Sequence, residues 1–171
     1  MSDARNGDFR EFAAARLTPL YRFAVLLTGH HQSAEDMVQE TLARIYVVWG
    51  SRDLSDPIAY SRSTLMNVFL TSRRRRQGSR EHLHALVPDS PVAGADVPLR
   101  VDLQRALNQL KPVDRAIVVM RYLEDLPVEE VACALHLSPG NVRVRAQRAR
   151  TQLERRLSLD QVTASGEEPA S

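Results

Sequence analysis

The chain has 171 residues, of which 43% are apolar and 26% charged, and its formal net charge is +2. This length suits one domain or two small ones, with enough apolar side chains to bury a core. The sequence shows no signal peptide and no apolar run near the ~18–20 residues that span a bilayer, so we expect a cytoplasmic protein without direct membrane insertion. The single cysteine, Cys133, excludes an internal disulfide and is expected to pack in the core.

The first part of the chain shows helical periodicity and no strand-like alternation. Phe9 and Phe12 begin an apolar face that ends at Thr18-Pro19, a pair typical of the start of a new helix. Gly29 is expected to end that second helix. Ser33, with Asp36 three residues later, resembles a capping box and predicts a further helix to Trp49.

Asp56-Pro57 is another pair of helix-start residues, and the helix that it begins runs into Arg73–Arg76. The apolar residues expected to face inward are Met37, Val38, Leu42, Ile45, Tyr46 and Trp49 in the helix that starts at Ser33, and Ile58, Leu65, Val68 and Phe69 in the helix that starts at Pro57.

Residues 78–98 contain three prolines and two glycines without a sustained period, which predicts a flexible linker. A second helical unit, 99–157, starts with Leu99, Leu103, Leu107 and Leu110. Residues 158–171 are polar and are expected to form a disordered tail. The sequence therefore predicts an all-α protein in which two small helical domains, 9–77 and 99–157, are joined by a flexible linker.

The end of the second unit has the pattern of a helix-turn-helix. The segment His136–Gly140 interrupts two apolar helices, with Ser138 suited to the N-cap and Pro139 to the first helical position. Six arginines against one acid between residues 139 and 156 favour binding to phosphates. The alternative is the solvated basic face of an ordinary bundle helix. The apolar residues of the motif are Val131, Ala132, Leu135, Val142, Ala146, Ala149 and Leu153.

A second basic stretch, residues 57–80, has six arginines and no acid. Acids gather elsewhere, at Glu35, Asp36, Glu40, Glu124, Asp125, Glu129 and Glu130. Two basic surfaces separated by acidic ones are typical of a polyanion-binding protein that also has a protein partner.

Residues 9–77 and 99–157 resemble the extracytoplasmic-function (group 4) RNA polymerase sigma factors of the sigma-70 superfamily. The resemblance lies in AEDMVQETLARIYVVW, in DPIAYSRSTLMNVFLTSRRRR and in the helix-turn-helix. It implies a non-catalytic initiation factor, without cofactor or metal, that recognises minus-35 and minus-ten elements and assists DNA melting. The implied partners are core RNA polymerase (its β′ clamp helices and β flap), promoter DNA and an anti-sigma factor.

The resemblance also implies site residues. Asp36, Gln39 and Glu40 match the face that docks on the β′ clamp helices, and their spacing places them on one side of a helix. An acidic helix start can instead serve the helix dipole. The implied minus-ten contacts are Tyr60, Arg62, Asn67, Arg73 and Arg74, with Asn67 on a base. The implied minus-35 contacts are Asn141, Arg143, Val144, Arg145, Gln147 and Arg148, with Arg143 and Arg148 on bases and Arg145 on a phosphate.

The sequence also bears on three other classes of protein. An enzyme is disfavoured, because His30-His31 and His82-x-His84 lack zinc-ligand spacing and no Gly-rich phosphate loop or nucleophile elbow occurs. A stand-alone helix-turn-helix regulator explains 99–157, but it needs neither a basic helix with Asn67 among apolar residues nor an acidic docking face. A sigma-like protein that has lost activity stays open.

Overall fold

The computed structural model describes the backbone of residues 2–51, 54–78 and 97–164, and these ranges contain helices and no strand. Seven α-helices follow one another, and one π-helical turn, Val119–Leu123, extends the fifth. They are α1 (Ser2–Thr28), α2 (His31–Val48), α3 (Pro57–Gly78), α4 (Val97–Asn108), α5 (Pro112–Val118), α6 (Val128–Leu135) and α7 (Pro139–Ala164). The predicted all-α class is confirmed. None of these helices, over the ranges just given, is long and apolar enough to cross a membrane.

α1 is one continuous helix, so the predicted start of a new helix at Pro19 is wrong. A proline inside a helix removes one backbone hydrogen bond, the one that the carbonyl of Ala15 would accept. Ala15 and Pro19 are both exposed, which leaves that carbonyl open to water. Before the proline, Phe9 and Phe12 pack against the Trp49 ring, with centroids 5.3 and 4.7 Å away. Packing against the aromatic residue at the end of α2 therefore stabilises α1 as one helix, although Pro19 disfavours a continuous helix locally.

The turn between α1 and α2 forms earlier than the capping-box pattern predicts. Gly29 ends α1 as expected, with φ 77°, and its N–H donates to the Val25 carbonyl at 2.7 Å. The N–H of His30 donates to Thr28 Oγ1 at 3.3 Å. α2 then begins at His31, so Ser33 lies inside the helix and forms no capping box.

Burial in α2 follows the predicted apolar stripe in part. Tyr46 was expected to face inward, but it is 44% exposed. Its hydroxyl donates to Asn6 Oδ1 at 2.9 Å and its ring meets the edge of Phe9 at 5.0 Å, so it packs along the flank of α1. Met37, Val38 and Ile45 are buried, and Leu42 and Trp49 are half-buried.

α3 begins as predicted. Asp56 Oδ1 accepts hydrogen bonds from the backbone N–H groups of Ile58 and Ala59, both at 3.0 Å, which satisfies two donors of the first turn. The prediction that Ile58 faces inward is wrong, because it is 41% exposed. Ser61 is buried near it, and its hydroxyl donates to the Ile58 carbonyl at 2.7 Å. Leu65, Val68 and Phe69 are buried as expected.

The second helical unit agrees with the prediction in its core and differs at its ends. Leu107 and Leu110 are buried and Leu103 is half-buried, while the side chain of Leu99 lies outside the described residues. Most of the predicted linker lies outside them too, although Gly78 closes α3 and Val97 opens α4. The predicted tail is helical as far as Ala164, because no glycine or proline interrupts 158–164. Residues 165–171 are not described.

The two helical units share one hydrophobic core. α3 packs against α5 and α6, and α1 packs against α4 and the π-helical turn. Buried side chains of the first unit, such as Leu27 and Phe69, join those of the second, such as Ile117, in one cluster. Cys133, expected in the core, is exposed on α6, so that prediction is wrong. Its neighbours Val131, Ala132, Ala134 and Leu135 take the buried positions of that helix.

Candidate nucleic-acid interface

The turn between α6 and α7 gives this pair its helix-turn-helix geometry. His136 ends α6 in the left-handed conformation (φ 54°, ψ 44°), which histidine adopts more readily than most side chains. Ser138 Oγ accepts a hydrogen bond from the Asn141 N–H at 3.2 Å, and Pro139 is the first residue of α7. The predicted cap and first position of α7 are therefore confirmed.

α7 divides into a buried stripe and an exposed face. The predicted stripe is confirmed, because Val142, Ala146, Ala149 and Leu153 are all buried, as are Val131, Ala132 and Leu135 of α6. The exposed face of α7 holds five of the six residues predicted for the minus-35 element: Asn141, Arg143, Val144, Gln147 and Arg148. Val144 is 50% exposed, so an apolar group suited to a thymine methyl lies among hydrogen-bonding side chains.

The sixth residue, Arg145, is held inside the unit. Its Nε donates to Asp114 Oδ1 of α5 at 2.8 Å, and both side chains are partly buried. Arg143 also has a partner, Glu129 of α6 at 3.2 Å, but both groups are well exposed. Exposed ion pairs contribute little to stability, so Arg143 can exchange its partner for a base. Arg145 must give up a more protected pair before it can contact DNA.

On α3 the predicted minus-ten residues lie on two faces. Tyr60, Asn67 and Arg74 follow one another at intervals of seven residues, which places them on one side of the helix with a small drift. All three are exposed. We call these three residues the open face of α3.

Arg62 and Arg73 form the inner face of α3. They are eleven residues apart, close to three full turns, so they share a side. Arg62 Nη1 lies 3.3 Å from Glu130 Oε2 of α6. Arg73 Nη2 donates to the Thr28 carbonyl at 3.5 Å, and its guanidinium lies 5.6 Å from the Phe69 ring centroid. The structure thus brings three predicted minus-ten residues together and places the other two against the protein itself.

The acidic face of α2 is exposed where the sequence analysis placed it. Asp36, Gln39 and Glu40 are all accessible. Asp36 accepts a hydrogen bond from Gln32 at 3.2 Å, and Glu40 pairs with Arg44 at 2.5 Å. Helical pairs of this kind contribute only ~0.2–0.5 kcal/mol each, so a partner can displace them.

Val47 extends the acidic face and was missed by the sequence analysis. It is 78% exposed and lies seven residues after Glu40, on the same side of α2. The signal was present in the sequence, because the apolar residue falls outside the inward stripe. Single exposed apolar residues are common on protein surfaces, so Val47 gains meaning only from its position beside the acidic face.

Arg115 of α5 was also missed. It is 3% exposed, and its Nη1 and Nη2 donate to the carbonyls of Leu27 and Asn108 at 2.6 and 2.7 Å. Burial, and then the charge of Arg73, lower the pKa of Arg115 to about 10, so it stays charged at neutral pH. The available signal was one basic residue directly before an apolar run that ends at Met120.

Across the described ranges, no three His, Cys, Asp or Glu side chains gather as metal ligands would. His31 Nδ1 lies 2.5 Å from the Tyr21 hydroxyl, and the two rings stack with their centroids 6.1 Å apart. The second histidine pair, His82 and His84, lies outside the described residues.

Family comparisons match both units. Sigma-70 region 2 matches residues 12–79, and "Sigma-70, region 4" matches residues 100–153. The RNA polymerase sigma-E factor of Streptomyces avermitilis is 33% identical over 155 residues, which cover 88% of this chain and 85% of that protein. The ECF RNA polymerase sigma factor SigE of Mycolicibacterium smegmatis is 34% identical over 144 residues. That match covers 78% of this chain and 55% of the longer relative.

Solved structures resemble the whole arrangement. The sigma factor RpoE from Bartonella quintana, crystallised in complex with the anti-sigma factor NepR, superposes with a TM-score of 0.70 at 25% identity, over 90% of this chain and 98% of that one. CnrH, in complex with the cytosolic domain of CnrY, gives a TM-score of 0.64 at 22% identity over 93% and 95%. The second likeness concerns the fold alone.

Proposed function

Because the chain belongs to the extracytoplasmic-function sigma factors, which direct RNA polymerase to promoters through sigma-70 regions 2 and 4, we propose how its exposed surfaces divide that work. The observation that carries the proposal is that the acidic face of α2, the open face of α3 and the exposed face of α7 lie on three separate helices. Their chemistry differs: one is acidic, one combines an aromatic ring with an amide, and one is rich in arginine.

The acidic face of α2 binds core polymerase at the β′ clamp helices. Asp36 and Glu40 offer carboxylates and Gln39 an amide on one exposed side. Val47 adds an apolar contact at its end. A surface of this kind fits a partner helix with basic side chains, because opposite charges guide the encounter and the apolar contact gains from leaving water.

The open face of α3 holds bases of the minus-ten element after they leave the duplex. Tyr60 can stack on a base and the Asn67 amide can bond to a base edge, while Arg74 binds a phosphate. Arg62 and Arg73 join this set once their present partners are exchanged for DNA. An unstacked base loses a few kcal/mol, so it needs a pocket or a stacking partner of this kind.

The exposed face of α7 reads the minus-35 element in the major groove. Arg143 and Arg148 are placed as guanine contacts, Gln147 as an adenine contact and Val144 as a contact to a methyl group. Asn141, next to the cap of the helix, is assigned to a phosphate, as is Arg145 after release from Asp114. The remaining surface of the second unit is assigned to the β flap.

The protein works in the cytoplasm, where its polymerase and promoter DNA are, and an anti-sigma factor holds it. The support for this partner is the Bartonella quintana sigma factor, which resembles this chain over nearly its whole length and was crystallised with one. The polymerase and an inhibitor of this kind would compete for overlapping parts of the first unit.

The deciding experiment is run-off transcription with purified core polymerase on a library of genomic fragments, followed by mapping of the start sites. We expect discrete starts preceded by two shared sequence elements, which core polymerase alone does not produce. A chain carrying Gln39→Ala and Glu40→Ala serves as the control for dependence on docking. Start sites identical to those of core polymerase alone would identify a sigma-like protein without activity.

A further inference from the structure

α7 is longer than the part of it that is assigned to bases. It runs from Pro139 to Ala164 and has 26 residues. At a rise of about 1.5 Å per residue, the helix is about 39 Å long. The base contacts, Arg143 to Arg148, span only about 7.5 Å of this length, whereas the major groove is about 12 Å wide. The second half of α7 therefore extends beyond the groove, and its side chains need an explanation of their own.

Arg155 continues the outermost line of α7 past the base contacts. Val144, Arg148 and Arg155 are all exposed, and they are spaced by four and then seven residues, so they lie on one side of the helix. The buried stripe that includes Ala146 and Leu153 lies on the opposite side. Along the helix axis, Arg155 is about 10 Å from Arg148. It therefore lies on the side of α7 that faces DNA, but beyond the edge of the groove.

Neither the helix dipole nor an ion pair within α7 explains the charge of Arg155. The dipole favours cations in the last turn, and Arg155 lies more than two turns before Ala164. Arg150, by contrast, pairs with Glu154 four residues later at 3.1 Å. The residues three and four positions away from Arg155, which are the ones that could pair with it on the helix, are all uncharged: Thr151, Gln152, Ser158 and Leu159.

The group that lies beyond the edge of a major groove is the sugar-phosphate backbone. Duplex DNA carries one negative charge per ~1.7 Å of its axis, and a guanidinium offers forked donors that match phosphate oxygens. The neighbouring hydroxyl of Thr151 donates to the Gln147 carbonyl at 3.1 Å, so it is directed to its own helix. Arg155 is thus suited to a phosphate contact, which adds affinity and orientation without sequence preference.

We propose that Arg155 binds a phosphate of the duplex that flanks the minus-35 element, so that α7 holds a longer stretch of DNA than it reads. This inference rests on the proposed minus-35 role of α7. A second attachment about 10 Å from Arg148 restrains the angle at which the helix crosses the groove. The contact contributes equally whatever the flanking sequence is.

The test titrates the full chain against labelled duplexes and follows fluorescence anisotropy. A short duplex holds the upstream element from the start-site mapping with about two base pairs on each side, and two long duplexes add about eight base pairs, ~27 Å, to one flank or the other. A further series places one uncharged methylphosphonate at successive positions of the flank. Arg155→Gln removes the charge and keeps a good helix former. Arg22→Gln is the matched control, because it removes the same charge from an exposed position of α1.

We expect the unsubstituted chain to bind one of the long duplexes more tightly than the short one. Arg155→Gln should weaken binding to that long duplex about two- to fivefold, as expected for one exposed ion pair, and should lower the salt slope by about one. It should leave the affinity for the short duplex unchanged, as well as the preference for the element over a scrambled sequence. A methylphosphonate at the contacted position should weaken the unsubstituted chain to the level of the variant and should not weaken the variant further.

The flanking contact is overturned if neither flank increases affinity, or if Arg155→Gln weakens the short and long duplexes equally. Equal losses in Arg155→Gln and Arg22→Gln would also overturn it, since they would reflect overall charge alone. The role of α7 in reading the element is tested separately on the short duplex. If the unsubstituted chain binds the element and a scrambled duplex alike there, the proposed function of α7 is contradicted, whatever the flanks do.

Discussion

Arg115 lies almost without solvent contact between three helices, and its positive charge has two backbone carbonyls, and no carboxylate, as hydrogen-bond partners within the described ranges. Its two terminal nitrogens donate to carbonyls, while Nε is buried and has no hydrogen-bond partner among the residues that the structure describes. Hydrogen bonds from a charged donor contribute ~1.5–3 kcal/mol each, which offsets the cost of burying the guanidinium. The Arg115 side chain thus supplies hydrogen-bond donors to the C-terminal ends of both α1 and α4.

We expect Arg115→Met to lower the free energy of unfolding by about 3 kcal/mol, because it leaves two buried carbonyls without donors. Urea unfolding followed by circular dichroism measures this change. Arg105→Met is the matched control, since Arg105 pairs with Asp102 at the surface of α4 and should cost under ~0.5 kcal/mol. Similar unfolding midpoints for the two variants would show that Arg115 does not stabilise the contact between the two helical units.

At the exposed face of α7, Arg148 and Arg150 separate base reading from phosphate binding. Arg148→Ala should cost ~1–3 kcal/mol on cognate minus-35 duplex and narrow the gap to a scrambled duplex. Arg150→Ala should weaken both duplexes alike and reduce the salt slope by about one. Arg150 is a cleaner comparison than Arg145, because it forms an ion pair with exposed Glu154 on its own helix, whereas Arg145 pairs with partly buried Asp114 of α5. Titrations at several salt concentrations give both quantities, and identical behaviour of the variants would contradict the orientation of α7.

Among the elements, those whose ends depend on nearby residues could be predicted from the sequence. The starts of α3 and α7 are set by Asp56 and Ser138, whose side chains bond N–H groups two or three residues away. Gly29 also ends α1 for a local reason, because glycine readily adopts the positive φ that this position has. The continuity of α1 through Pro19 could not be predicted in the same way. It depends on rings of α2 that are remote in sequence.

The same distinction applies to the candidate surfaces. Spacing alone placed Asp36, Gln39 and Glu40 on one exposed side of α2, because helical geometry requires it. Spacing could not show that Arg62 and Arg145 have carboxylate partners, since Glu130 and Asp114 lie 68 and 31 residues from them. A pattern of arginines predicts a basic face, but the contacts of each arginine depend on tertiary packing.

On α2 we expect the double variant Gln39→Ala, Glu40→Ala to bind core polymerase at least tenfold more weakly while keeping its stability, since exposed substitutions cost under ~0.5 kcal/mol. A competition assay against a labelled sigma factor measures the affinity. Glu11→Ala is the control, because Glu11 is an exposed acid on α1, outside the acidic face of α2. If the double variant competes as well as the control does, the docking surface lies elsewhere.

On α3 we expect Asn67→Ala to reduce open-complex formation and to spare binding to minus-35 duplex, because the two contacts lie in different units. Loss of one good hydrogen-bonding contact to a base corresponds to ~1–3 kcal/mol. Permanganate footprinting of the melted region measures the first activity, and a duplex titration the second. Normal melting by the variant would show that Asn67 does not contact the bases of the melted strand.

At the scale of the whole molecule, the shared core makes the two units one unfolding unit. Buried side chains from both units form a single cluster, and hydrogen bonds from Gln104 and Arg115 join the second unit to the end of α1. We therefore expect one cooperative thermal transition, with equal calorimetric and van't Hoff enthalpies. Differential scanning calorimetry of the full chain tests this. Two separate transitions, with that of the second unit unaffected by Arg115→Met, would show that the units fold independently.

The completion of α1 by Arg115 has a consequence for the order of events during synthesis. The carbonyl of Leu27 is made 88 residues before the guanidinium that bonds it. At roughly 5–20 residues per second, the ribosome needs roughly 4 to 18 s to make that stretch. Its emergence from the exit tunnel takes longer still. During this interval the end of α1 is bonded to water, and Arg62 is without its Glu130 partner because α6 has not yet been made. A nascent chain is therefore most exposed to nucleic acid before its own second half arrives.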